Sequence, residues 1–194
     1  MTEAPRGPYS SRVTDVKPYL SAADIAARVR ALGDRISSDY AGGSIVVVPV
    51  LKGSFVFAAD LVRAITVPVE IDFLAVRSYE GTESSGVVRL THDLDRSIEG
   101  RDVLLVEDIV DTGLTIDYLL GNLATRRPRS LRVAALLHKP ARTKVVVPID
   151  YLGFEIDDVF VVGYGLDDDR GGRRHLPYIG ALEPAALDPG ARVR

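Results

Sequence analysis

Val103-Leu104-Leu105-Val106-Glu107-Asp108-Ile109-Val110-Asp111-Thr112-Gly113-Leu114-Thr115 is the stretch around which the rest of the chain is arranged. Its first four residues are apolar and mostly branched, the composition of a parallel strand buried on both faces. Two adjacent carboxylates, Glu107 and Asp108, follow where that strand is expected to end, and Asp111-Thr112-Gly113 then makes a turn. An amphipathic segment from Leu114 to Leu123 predicts the next helix. Open α/β sheets bind ligands beyond the carboxyl ends of their strands. Acceptor groups and the N–H groups of a helix start are therefore gathered where a ligand would sit.

Toward the N-terminus, Ile25, Val29, Leu32 and Ile36 recur at helical spacing behind Ser21, with Asp24 at the capping-box position, and Gly42-Gly43 ends that helix. Residues 44–50 form a buried strand, Leu51-Lys52-Gly53-Ser54 a turn, Phe55 to Ile65 a helix, and Val69 to Val76 another strand opened by Pro68. Residues 77–86 are polar and bounded by glycine, the character of a lid loop, and Val87 to Thr91 returns from it. Toward the C-terminus, Leu131 to Leu137 is a strand ending at His138-Lys139-Pro140, and Tyr151 to Phe154 and Val159 to Val162 are short strands. Strands alternating with helices predict an α/β fold with a central, mostly parallel sheet flanked by helices. The expected organisation is a flexible arm over 1–17, one domain over 18–182 and a tail over 183–194.

The 194 residues carry a formal net charge of −3, which offers no whole-chain attraction to nucleic acid or to an anionic membrane. There is no cysteine, so disulfides and thiol ligands are excluded, and a cytoplasmic location fits. No apolar run reaches membrane-spanning length, and the polar start has no apolar signal core.

Backbone N–H groups exposed by a Thr-Gly turn at a helix start favour a phosphate, and Thr112 and Thr115 add hydroxyl donors. Ionised Glu107 and Asp108 only accept, so beside a phosphate they fit sugar hydroxyls or a bridging cation. A sugar phosphate meets all these requirements. The competing reading makes Asp111 or Thr112 a helix cap and the two acids solvated surface.

The run Val106-Glu107-Asp108-Ile109-Val110-Asp111-Thr112-Gly113 resembles the phosphoribosyl-diphosphate (PRPP) signature of the type I purine phosphoribosyltransferases, in the form carried by their hypoxanthine-guanine members. The resemblance extends from about Val48 to Leu182. It implies a type I phosphoribosyltransferase-like fold with a small hood made by chain-terminal segments, and magnesium-dependent transfer of phosphoribose to hypoxanthine or guanine. In that scheme Asp111, Thr112, Gly113, Leu114 and Thr115 hold the 5′-phosphate, and Glu107 and Asp108 bind the ribose hydroxyls around which magnesium is coordinated. Asp111 acts as general base near N7 of the purine. Lys52 and Gly53 match the pyrophosphate loop, in which a non-proline cis peptide joins Leu51 and Lys52. Ser78-Tyr79 matches the start of a mobile catalytic loop. Lys139 matches the lysine that donates to the 6-oxo group; Phe160 stacks on the base and the Val161 backbone reads the ring edge. Asp167 matches an acid near the base that helps bind a second magnesium. Homodimers or homotetramers are expected from relatives.

After Asp167 the chain departs from the family pattern, reading Asp168-Asp169-Arg170-Gly171-Gly172-Arg173-Arg174-His175-Leu176-Pro177-Tyr178. Counting forward from Asp167 selects Arg173 as the catalytic, pyrophosphate-binding arginine; counting back from Leu176-Pro177 selects Arg174, the preferred choice. Read as isolated residues, Lys139 is solvated, Phe160 is core and Lys52-Gly53 belongs to an ordinary helix-capping turn. Gly163-Tyr164-Gly165 lacks the third glycine of a dinucleotide fingerprint, and no P-loop sequence occurs. A xanthine-preferring transferase and an RNA-binding regulator on the same fold are the alternative functions.

Overall fold

The apolar runs at 45–50, 103–106 and 131–137 become neighbouring strands at the centre of a sheet. The computed structural model describes residues 16–78, 88–168 and 171–182. In chain order the elements are β1 (Pro18–Leu20), α1 (Ala22–Asp39), β2 (Ile45–Leu51), α2 (Phe55–Ala64), β3 (Val69–Ile71), β4 (Leu74–Ser78) and β5 (Val88–His92). They continue with β6 (Asp102–Val110), α3 (Leu114–Ala124), β7 (Ser130–His138), β8 (Tyr151–Glu155), β9 (Phe160–Val162) and β10 (Ile179–Leu182). Seven strands make the main sheet in the order β5-β4-β2-β6-β7-β8, with β3 beside β2. Every pairing in it is parallel except β4 with β5.

Strand alternation sends neighbouring residues to opposite faces. Leu104 and Val106 of β6 pack with Ile25, Ile36, Phe57 and Leu61 from α1 and α2. Val103 and Leu105 face Ile116, Leu119 and Leu123 of α3. Both faces are covered, which is why the central strands read as continuous apolar runs. Helix α1 begins as expected: Ser21 Oγ accepts the Asp24 N–H at 3.1 Å and donates to the Asp24 carboxylate at 2.6 Å.

Two expectations are corrected. The central strand does not end before Glu107; β6 runs on to Val110, because β7 stays paired with it as far as His138 after β2 has left it at Val106. The strand expected over Val69 to Val76 is split into β3 and β4, both parallel to β2. Asp72 makes the break. It is 8% exposed, and its carboxylate accepts the N–H groups of Phe73, Asp95 and Arg96.

The expected hood is a second sheet, β1-β10-β9, antiparallel throughout and built from chain-terminal segments. Val16, within the expected arm, is buried; a Cβ on Gly180 would lie 2.1 Å from its Cγ1. The remainder of the arm, the lid loop after Ser78 with Tyr79, residues Asp169 and Arg170, and the tail lie outside the described residues.

Candidate active site

The turn after β6 is held from two sides. Gly113 has φ +84°, and a Cβ there would lie 2.1 Å from the Val145 carbonyl oxygen, so only glycine fits without a shift. The Thr112 carbonyl accepts the N–H groups of Lys144 and Val145, each at 3.0 Å. Gly113, and neither Asp111 nor Thr112, is the N-cap of α3, although the Thr112 hydroxyl accepts the Leu114 N–H in a long contact of 3.5 Å. The other amides of this helix start are suited to an anion. A small crevice of about 70 Å³ is enclosed there by Glu107, Asp111, Thr112, Gly113 and Thr115. Leu114 is the first residue of α3.

Glu107 and Asp108 stand side by side near the end of β6, with their carboxyl groups within reach of each other. Glu107 lines the small crevice, and its Oε2 is buried with no hydrogen-bond partner. Burial, and then the charge of Asp108, push its pKa well up. Burial also raises Asp108, although the Ile109 N–H donates to its Oδ1 at 2.9 Å and the Arg174 guanidinium pulls the other way. Asp108 faces the turn before α2: a Cβ on Gly53 would lie 1.5 Å from its Oδ2. The Leu51-Lys52 peptide is cis, as expected. Ser54 does not cap α2 with its side chain; its hydroxyl donates back to the Val50 carbonyl at 2.6 Å.

Gly165, with φ +101°, closes the same wall, since a Cβ on it would lie 2.2 Å from the Gly53 carbonyl oxygen. Arg174 donates from Nη1 to the Gly165 carbonyl at 2.5 Å and pairs through Nη2 with Asp167 at 2.6 Å. Arg173 turns elsewhere, with Nε 3.2 Å from the Asp168 carboxylate. Lys52 is exposed at the edge of this wall.

On the other side of Asp111 opens a larger pocket of about 590 Å³. It brings together Asp111, Lys139, Phe160, Val161 and Asp167, five residues singled out from sequence, with Ile109 and Leu166 as apolar walls. Lys139 is not solvated as a lone surface lysine would be; it is 8% exposed, with Nζ 3.6 Å from Asp158 Oδ1. Phe160 is 38% exposed, so it is not a core side chain. Two further residues of the pocket, Arg142 and Asp158, escaped sequence reasoning. Arg142 Nε lies 2.6 Å from Asp111 Oδ1, and its Nη1 lies 3.6 Å from Asp158 Oδ1. Their signal in the sequence was slight: an arginine just after Lys139-Pro140 and an acid just before Phe160.

A pocket with apolar walls and a small polar crevice thus share Asp111, with two adjacent, partly buried acids between the crevice and a glycine turn. A family profile described as "Phosphoribosyl transferase domain" matches residues 15–169. The chain belongs to the phosphoribosyltransferase family. Among its relatives is hypoxanthine-guanine phosphoribosyltransferase of Mycobacterium tuberculosis (strain ATCC 25618 / H37Rv), 51% identical over 178 residues that cover 88% of either chain. The enzyme of the same name from Bacillus subtilis (strain 168) is 43% identical, over 89% of this chain and 96% of the relative. A crystal structure of hypoxanthine phosphoribosyltransferase from Staphylococcus aureus superposes with a TM-score of 0.84 at 44% identity, covering 88% of this chain and 94% of the other. The mostly parallel sheet with its terminal hood is the type I phosphoribosyltransferase fold.

For a phosphoribosyltransferase, a magnesium ion is the implied cofactor. Among the described residues no group of three or more His, Asp or Glu side chains forms a ready cage. The donor set fits magnesium in another way, because that ion is commonly held by one or two carboxylates together with substrate oxygens and water. The unpartnered Oε2 of Glu107 beside Asp108 is such a donor pair. Asp167 has its carboxylate engaged by Arg174, which a metal there would have to displace. No helix among the described residues is long and apolar enough to cross a membrane.

Proposed function

We propose that this phosphoribosyltransferase transfers phosphoribose from PRPP to N9 of hypoxanthine or guanine, giving IMP or GMP and pyrophosphate, in purine salvage. The observation that carries the reading is the shared position of Asp111, which borders both the small polar crevice and the pocket of Lys139 and Phe160. A sugar phosphate and a planar base placed in these two spaces meet at that carboxylate.

In the crevice, the amides of Thr112, Gly113, Leu114 and Thr115 and the two threonine hydroxyls bind the 5′-phosphate. Glu107 and Asp108 accept from the ribose hydroxyls, and with the substrate's own oxygens they hold magnesium. That ion, when bound, neutralises pyrophosphate charge and favours its departure. Lys52, Gly53 and Arg174 line the pyrophosphate side; Arg174 is favoured over Arg173 because it borders the Gly53–Gly165 wall. Asp167 stays a candidate for a second magnesium once pyrophosphate draws Arg174 away.

In the pocket, Phe160 stacks on the base and Lys139 donates to the 6-oxo group, which an amino group at that carbon could not accept. As the bond from C1′ to pyrophosphate breaks, positive charge develops on the ribose, and the buried carboxylates stabilise it. The N9 lone pair then bonds to C1′ while Asp111 takes the N7 proton. Ser78-Tyr79 begins the loop that would close over this state and exclude water. A cytoplasmic location and a homodimeric or homotetrameric assembly complete the proposal.

The test is a set of initial rates with PRPP, magnesium and each of hypoxanthine, guanine, xanthine and adenine. Nucleotide formed from hypoxanthine and guanine is expected. Turnover of xanthine alone, or of none, would overturn the assignment.

A further inference from the structure

Arg142 sits at the end of a short 3-10 turn, Pro140–Arg142, in the segment that also carries Lys139. That segment is tied to the chain on either side of Asp111. The Lys139 N–H donates to the Val110 carbonyl at 3.0 Å, and the N–H groups of Lys144 and Val145 donate to the Thr112 carbonyl. Midway along the loop, the Arg142 side chain meets the Asp111 carboxylate, with Nε 2.6 Å from Oδ1. Its Nη1 reaches Asp158 Oδ1 at 3.6 Å, the same oxygen that lies 3.6 Å from Lys139 Nζ. One guanidinium therefore links the carboxylate at one end of the pocket, through Asp158, to the lysine at the other.

We propose that Arg142 is a positioning residue for the purine half of the site, acting through Asp111 and Asp158. The proposal rests on the reading of Asp111 as the base and Lys139 as the 6-oxo donor. A free carboxylate rotates about its Cβ–Cγ bond and offers either oxygen. Engagement of Oδ1 by Arg142 fixes that rotation and leaves Oδ2 for the N7 proton. Asp158, shared between the two cations, fixes the reach of Lys139 toward the neighbouring 6-oxo group. The spacing between N7 and the 6-oxo oxygen is rigid in the purine, so the two protein groups that read it must be held at a matching separation. Arg142 is the tie between them.

A bland surface ion pair is the competing account, since the side chains of Arg142 and Asp111 are 46% and 38% exposed. Such pairs contribute little to stability, and thermal unfolding alone would not separate the two accounts. Kinetics do. In Arg142→Gln, kcat with hypoxanthine and guanine is expected to fall about 10–100-fold, while KM for PRPP stays within about twofold. Arg142→Lys keeps the charge but not the planar fork, and should recover part of the loss. The decisive protein is the double variant with Asp111→Asn: because Arg142 acts in part through Asp111, adding Arg142→Gln there should lower kcat by clearly less than it does in the parent enzyme. The inference falls if Arg142→Gln turns over within about twofold of the parent enzyme, or if the two losses multiply. Parent protein inactive with every oxopurine would remove the functional reading as well; an active parent with an indifferent Arg142→Gln removes this inference alone.

Discussion

Glu107 is where the site and the stability of the fold oppose each other, and Glu107→Gln measures the opposition. In the folded protein its Oε2 is buried without a partner and Asp108 stands next to it in the strand. Both burial and that neighbouring charge raise its pKa, so the ionised form is disfavoured by folding. For a group whose folded pKa lies above its unfolded value, stability is highest below the unfolded pKa, here 4.5, and is lost as pH rises toward the folded one. At pH 8 the protein therefore carries a penalty that glutamine, neutral at every pH and able to donate to Asp108, does not. A buried unsatisfied polar group costs about 1–3 kcal/mol, and in a chain of this size each kcal/mol moves Tm by about 2–4 °C. Without PRPP and magnesium, Glu107→Gln should unfold a few degrees above the parent at pH 8, with the gap closing near pH 5. On the role proposed for Glu107 as acceptor for the ribose hydroxyls, KM for PRPP should rise at least about tenfold. Thermal unfolding of both proteins between pH 5 and 8 is the assay. A variant no more stable than the parent at pH 8, or equally favoured at both pH values, would refute the argument from buried charge.

Asp111→Asn should lower kcat by about 10²–10⁴-fold while KM for PRPP changes little, read from initial rates; unchanged turnover would remove Asp111 as the base. Gly53→Ala places a Cβ 1.5 Å from Asp108 Oδ2, so the turn or the carboxylate must move. Misplacement on the scale of 1 Å costs about 10²-fold, and kcat/KM for PRPP is expected to show it in steady-state assays. Asp72→Ala leaves the N–H groups of Phe73, Asp95 and Arg96 without their acceptor. It should cost about 2–4 kcal/mol in urea denaturation with little change in kcat of the folded enzyme.

The central strands were legible because a strand covered on both faces has no polar side to interrupt its apolar run, as Val46 to Val48 and Val103 to Val106 illustrate. Their ends were harder to see. Glu107 and Asp108 look like the start of a loop, but whether a strand continues depends on its neighbours, and β7 keeps pairing where β2 has turned away. The break at Asp72 was hidden for a similar reason. Two of the N–H groups that its carboxylate accepts, those of Asp95 and Arg96, lie 23 and 24 residues further along the chain, and no local pattern announces such a bond.

The site divides along the same line. The residues 107–115 form a contiguous strand end, turn and helix start, so spacing alone placed acceptors beside donors. Arg142 and Asp158 lie on loops either side of β8 and become part of the pocket only when β8 pairs with β7 and brings those loops together. In sequence each is a common surface residue. Together they convert Lys139 from a lysine before a proline into one member of an alternating set, Asp111–Arg142–Asp158–Lys139. Charges of opposite sign in sequence around one pocket compensate each other locally, whereas Glu107 and Asp108 do not. The purine half is thus electrically self-contained, and the sugar half carries an excess of acid. That asymmetry matches the substrates assigned to them: a neutral oxopurine needs oriented donors and acceptors, while the magnesium ion that would accompany the anionic PRPP, and not PRPP itself, would supply the positive charge that these acids lack.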